Sequence, residues 1–341
     1  MRPLLPALAA AGLALVAGCD FTPTLDIETP TYEPGLVVRS MLVADSAAVV
    51  WVDESWDPYE GRPRDRGGRP ETPAGLFAAE VVLLRGGAEV ERLTARRDRC
   101  VDLSQPTPEP GAEIQRFPCG PFVGTARIEA GATYTLRVTA AGLPAAEATV
   151  TVPLRPAVEV TDVTTASDPR GRFQIRLADG PGPGDRYGLT LYNGSNSQTV
   201  RGTVCENGVC RDTVYTVPTR GRFPVSFDTS DPVLLASSRE VAGSGVSFAS
   251  FTDETFNGRL RTFTIAPSGR YDFGPGDGQV FVVQVAALSG DVYDVYQIEQ
   301  FDGGEDNPFA EPINRPSNVR GGYGLVGGLA LSETAVRPRT P

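Results

Sequence analysis

The chain has 341 residues, 42 acidic side chains against 31 basic ones, and a formal net charge of −11. All 31 basic residues are arginine, and the chain holds neither histidine nor lysine. Serine or cysteine nucleophiles activated by histidine, histidine-ligated zinc, Schiff-base lysines and lysine-bearing phosphate loops are therefore excluded, and the acidic balance disfavours nucleic acid as a partner.

The first eighteen residues carry one charge, Arg2, then an apolar stretch from Leu4 that ends in Val16-Ala17-Gly18. Such a stretch has the length of a secretory signal and is too short for a spanning helix. Cys19 follows the small residues directly and resembles the lipobox cysteine of bacterial lipoproteins, whose thiol is acylated and becomes the mature N-terminus. Each buried methylene of a lipid chain is worth ~0.8 kcal/mol, so two or three chains would hold the protein firmly on a membrane. Removing residues 1–18 leaves 30 arginines against 42 acidic residues, a balance of −12. Residues 19–31 are polar, contain proline, show no periodicity and read as a tether.

An N-terminal β-sandwich domain is expected over 32–153. Leu36–Leu42, Val49–Val52, Val81–Leu84, Tyr134–Val138 and Ala148–Val152 are short runs of β-branched or aromatic residues between Gly, Pro and Asp turns. Gly131-Ala-Thr-Tyr134 resembles the turn late in immunoglobulin- or fibronectin-like sandwiches. Trp51 reads as core. Trp56 and Tyr59, beside Arg64 and Arg66 in the proline-rich loop Asp57–Pro73, form a candidate ligand platform of flat rings and planar guanidinium groups.

Four cysteines remain after Cys19, and an even remainder in an exported chain implies disulfides. In Cys205-Glu-Asn-Gly-Val-Cys210 the Asn207-Gly208 dipeptide is the preferred centre of a two-residue hairpin, which sets Cys205 opposite Cys210. Cys100 then pairs with Cys119 by elimination, closing the loop Val101–Pro118.

Val152-Pro-Leu-Arg-Pro156 reads as a stiff junction, with a second β-rich domain over 157–336 and a disordered tail at 337–341. Phe173–Leu177, Tyr187–Tyr192 and Leu260–Ile265 alternate, giving one buried and one wet face each, and Val280–Ala287 is an apolar run interrupted only at Gln284, as a central strand would be. One short helix is expected at Asp291–Phe301, with Val292, Val295 and Tyr296 on one face. The fold class is thus all-β, two sandwich-like domains with one short helix near the C-terminus.

Three constellations carry chemistry on paper. Asp302-Gly-Gly-Glu305-Asp306-Asn307 offers oxygen ligands without EF-hand spacing and reads as a solvated loop. Asp253 and Glu254 are candidate glycosidase carboxylates, but neighbours on an extended chain face opposite ways, and turn chemistry accounts for them. Gly322-Tyr-Gly-Leu-Val-Gly327 matches a dinucleotide fingerprint without the strand–helix–strand context or the distal acid, so a glycine-rich strand is expected. No catalytic residue, metal or cofactor is assigned.

Tyr32-Glu-Pro-Gly-Leu-Val-Val38, Phe248–Gly258, Ala287–Tyr296, Asn307–Pro312 and Ser317–Gly322 occur in an order that resembles a lipoprotein family of Bacteroidota and their relatives, domain of unknown function 4249. The resemblance implies an exported lipoprotein, often encoded beside TonB-dependent outer-membrane receptors, and no established activity. It brings no catalytic residues. The resulting expectation is a non-enzymatic envelope protein with Cys19 lipidated, located at the outer membrane facing the periplasm or the cell surface. It would be a binding or accessory protein of such a receptor. A carboxylate-type glycan hydrolase and a ligand-free envelope spacer are the alternatives.

Overall fold

Short runs of β-branched and aromatic residues, punctuated by glycine and proline, become twenty strands and two short helices among the described residues of the computed structural model. The structure describes residues 32–57, 76–96, 120–164, 171–194, 197–206, 209–218, 223–236, 238–241, 245–268, 280–301 and 316–337. The N-terminal half supplies β1 (Leu36–Val43), β2 (Ala47–Glu54), β3 (Glu80–Arg85), β4 (Ala88–Arg92), β5 (Thr94–Ala95), β6 (Phe122–Arg127), β7 (Thr133–Thr139) and β8 (Ala146–Thr151). After the proline-bearing junction come β9 (Ala157–Asp162), β10 (Phe173–Ala178), β11 (Arg186–Asn193), β12 (Ser197–Glu206), β13 (Val209–Pro218), β14 (Phe223–Val225) and β15 (Phe227–Thr229). The remaining elements are α1 (Pro232–Ala236), β16 (Ser238–Val241), β17 (Gly245–Thr252), β18 (Leu260–Pro267), β19 (Phe281–Leu288), α2 (Gly290–Phe301) and β20 (Gly322–Val336).

Fourteen strands form one sheet in the order β5-β6-β2-β1-β20-β19-β11-β17-β15-β18-β10-β9, with β14 attached to β11 and β16 to β17. A four-stranded sheet, β4-β3-β7-β8, supplies a second layer, and β12-β13 is a separate two-stranded ribbon. Alternation along β1, β7, β8 and β10 turns one side inward: Leu36, Val38, Tyr134, Leu136, Ala148, Val150, Phe173 and Ile175 all belong to a single buried cluster. The mostly-β, sandwich-type expectation is met.

Pro34–Pro341 forms one compact unit. Strands from both sides of the 153–157 junction share the large sheet, because β20 pairs in parallel with β1 and antiparallel with β19. A partner nearly three hundred residues away leaves no trace in local periodicity, which is why the sequence presents that junction as a break.

β20 is also where glycine is required. Gly324 has φ +109°, and a Cβ there would lie 2.1 Å from the Val38 carbonyl oxygen. Gly321, at φ +73°, would place one 2.2 Å from the Ala145 oxygen, next to the point where Glu147 and Arg320 exchange backbone hydrogen bonds of 2.9 and 2.8 Å. A Cβ on Gly322 would lie 2.5 Å from the Leu36 carbonyl oxygen, so close approach of β1 explains the Gly322-x-Gly324 spacing without any nucleotide.

Strand β19 is buried on almost every residue, as its apolar run implies. Its outer side is covered in part by α2, whose Val292 packs with Ala286 and Leu288. Asn318 fixes this helix to β20: its amide nitrogen donates to Asp291 Oδ2 and to the Val326 carbonyl, and its oxygen accepts from Val326 N at 2.9 Å. Tyr134 closes another corner, its hydroxyl accepting from Glu129 N at 2.9 Å, as a tyrosine corner does in immunoglobulin-like sandwiches. Helix α1 has no counterpart in the sequence reading, since five residues are too short to show a 3.6 period; Pro232 opens it and Asp231 Oδ1 accepts from Val233 N.

Candidate functional site

Three aspartates gather at one end of the large sheet. Asp179 follows β10, Asp185 precedes β11 and Asp253 follows β17, and the β11–β17 pairing of Arg186 with Thr252 brings the last two together. Between Asp179 and Asp185 runs Gly180-Pro-Gly-Pro-Gly184, a segment whose prolines resist both helix and ladder. Carboxylate oxygens of the three residues lie within 4.8 Å of one another. Asp253 is buried; both its oxygens accept from Gly184 N, at 3.0 and 3.2 Å, and its own N donates to the Asp185 carbonyl. Asp179 accepts from the Tyr187 hydroxyl at 2.5 Å and from Gly258 N at 2.7 Å.

Electrostatics follow from that crowding. Partial burial pushes the Asp185 carboxyl above the ordinary carboxylate value; the negative charges of Asp179 and Asp253 push further, and Arg186 opposes them. Burial likewise raises the Tyr187 phenol, helped by its hydrogen bond to Asp179 and by all three carboxylates. Among the described residues these three aspartates are the group whose oxygens converge closely enough to hold a hard cation. Mechanically the cluster is a clasp that ties the Gly-Pro loop to the turn at Asn257-Gly258. Glycosidic acid and nucleophile pairs stand ~5 to 10 Å apart across an open cleft, whereas here the oxygens crowd within 4.8 Å around a buried Asp253.

A second feature lies on the outer side of β11, β17, β19 and β20. A groove of about 320 Å³ is lined by Tyr192, Phe248, Tyr296, Leu288, Leu329 and Leu331, with Gln284 among its polar groups. The rings of Phe248 and Tyr296 meet at 4.8 Å, tilted by 51°. Gln284 donates to Glu333 Oε1 at 2.8 Å. None of the three aspartates lines this groove.

The residues singled out from sequence are distributed unevenly over the described structure. Trp56 is 42% exposed, and Trp51 on β2, expected in the core, is only half-buried. Tyr59, Arg64, Arg66, Cys19, Cys100, Cys119 and the 302–306 loop lie outside the described residues. Cys205 and Cys210 are directly opposite one another in the β12–β13 register. Asp253 and Glu254 do face different environments, one buried and one exposed, at the start of a turn in which Phe256 N donates to the Asp253 carbonyl. Asp179 and Asp185 were not anticipated as partners of Asp253. The only local signal is the Asp-flanked Gly-Pro repeat, and nothing in it points to residue 253.

Phe248–Gly258 becomes β17 with its turn, Ala287–Tyr296 the junction of β19 with α2, and Ser317–Gly322 the lead into β20. The model of one family, described as Domain of unknown function (DUF4249), matches residues 22–335. The chain belongs to the DUF4249 family. In this DUF4249 protein the match takes in both features above and extends almost to the end of β20. No curated protein matches the chain.

Proposed function

We propose that this DUF4249 protein is a lipid-anchored protein of the cell envelope, held at the outer membrane through Cys19, that binds or braces a partner and catalyses no reaction. The partner is a TonB-dependent receptor, a reading supported by the genomic company of the family it resembles. The observation that carries the anchor is the short apolar leader ending in Val16-Ala17-Gly18-Cys19, directly ahead of the family match that begins at residue 22. Absence of histidine and lysine, and aspartates bound up in loop contacts, favour binding over catalysis. Exposed Trp56, beside the arginine-bearing loop 57–73, supports a recognition role for that edge.

Native protein purified from its own envelope with the membrane solubilised should bring down a TonB-dependent receptor in near-stoichiometric amount. Purification of the chain alone, after cross-linking in intact cells, overturns the receptor reading.

A further inference from the structure

β12 and β13 make ten consecutive cross-strand pairs, from Ser197 with Pro218 to Glu206 with Val209, and the register has no bulge. Among the described residues neither strand pairs with any other. In the chain the ribbon lies between β11 and β14, which pair with one another as far as Asn193 with Phe223. A two-stranded ribbon without a third strand or a helix against it is marginal in water. Something must hold its register.

Cys205 stands opposite Cys210, one step before the last pair. Opposite residues share a face of the ribbon. Glu206 and Val209 bracket the two-residue Asn207-Gly208 segment and therefore form its hydrogen-bonded pair; alternation makes Cys205 and Cys210 a non-hydrogen-bonded pair. Cα atoms of such pairs are ~4.5 Å apart, within the span a disulfide bridges. A slip of one residue would put the two thiols on opposite faces.

We propose that Cys205 and Cys210 form a cross-strand disulfide that locks the register of this ribbon and makes it a structured arm. The bond forms by exchange with the disulfide of an oxidising dithiol protein or of oxidised glutathione. One cysteine thiolate attacks that disulfide and releases a first thiolate. The second cysteine thiolate then breaks the mixed disulfide and releases the other. The two cysteine sulfurs are oxidised together by two electrons, the donor disulfide is reduced to two thiols, and the two thiol protons pass to the released thiolates. In the cell this step rests on the export reading, while the geometry does not.

Peptide mapping tests it on the purified full-length chain equilibrated with oxidised glutathione and then alkylated without reduction. Trypsin releases Gly202–Arg211, which carries both cysteines. The expected peptide is lighter by two hydrogens and takes up alkylating reagent at two sites only after reduction. An alkylated peptide before reduction, or one joined to a fragment holding Cys100 or Cys119, overturns the proposal. Amide exchange across 198–217 should speed up by about tenfold or more in the Cys205→Ser/Cys210→Ser variant, with β19 unchanged; unchanged exchange in the ribbon refutes its role as a register lock. Thiol trapping in intact cells separates the two readings. Free thiols in the cell beside the correct bond in vitro contradict export and leave the bond standing, whereas mispairing in vitro sinks the bond whatever the compartment.

Discussion

Asp253 holds the Gly-Pro loop with both carboxylate oxygens while buried beside the turn that follows β17. Replacing it by alanine leaves Gly184 N without its acceptor and should cost ~1 to 3 kcal/mol in a denaturant titration. Asp253→Asn, which keeps one acceptor oxygen, should cost less. Equal losses would show that the hydrogen bonds are incidental. Asp185 behaves differently, because its carboxyl is pushed above the ordinary value. The folded chain then binds this proton more tightly than the unfolded chain, so the contribution is fully present below the unfolded value of ~3.9 and is lost as pH rises through the raised one. Asp185→Asn should therefore melt at the same temperature as the parent near pH 3 and at a higher one near pH 7. A parent that is the more stable at neutral pH contradicts the crowding of charge described here. None of this was legible in the sequence: Asp185 and Asp253 meet because β11 pairs with β17, and Asp179 joins them through Tyr187 and through Gly258, the latter a long-range contact like the strand pairing.

At the scale of elements, alternation made β10, β11 and β18 readable as strands, although β11 proves buried on both faces, and the apolar run from Val280, interrupted only at Gln284, marked β19 as a largely buried central strand. Helix α2 was legible from Val292, Val295 and Tyr296 on one face; Val292 is the one most deeply buried. Val292→Ala should destabilise by about 2 kcal/mol, the loss of two packed methyl groups. Short pieces such as β14, β16 and α1 gave no periodic signal because each spans a turn or two of pattern at most. The glycines of β20 were legible as strand rather than fingerprint, but their reason was not, since for Gly322 and Gly324 it lies in the Leu36 and Val38 carbonyls that approach them. Gly324→Ala puts a methyl group against that backbone at positive φ and should cost ~3 kcal/mol or more. At Gly327 an added Cβ would lie 2.2 Å from Val292 Cγ2, a buried and stiff side chain, and 2.7 Å from Met41 Sδ, so Gly327→Ala should also destabilise.

For the whole molecule, β20 is the tie between the two ends of the chain. It lies between β1 and β19, so truncation before Gly322 unpairs both and should abolish cooperative folding, checked by loss of a single melting transition. The pattern of short strands conveyed the fold class, yet it could not convey that segments on either side of Val152–Pro156 share one sheet, because that union depends on the parallel β1–β20 pair. At this scale the chain is acidic, and arginine is its only basic residue.

The anchor at Cys19 is the claim on which the proposed function turns. Intact-mass and N-terminal peptide analysis of the native protein, extracted in detergent from its own cells, tests it most directly. The expected mature chain starts at Cys19 and carries fatty acyl groups there, and a Cys19→Ala variant loses them and leaves the membrane fraction. A native chain that begins at another residue, or at Cys19 without lipid, contradicts the account.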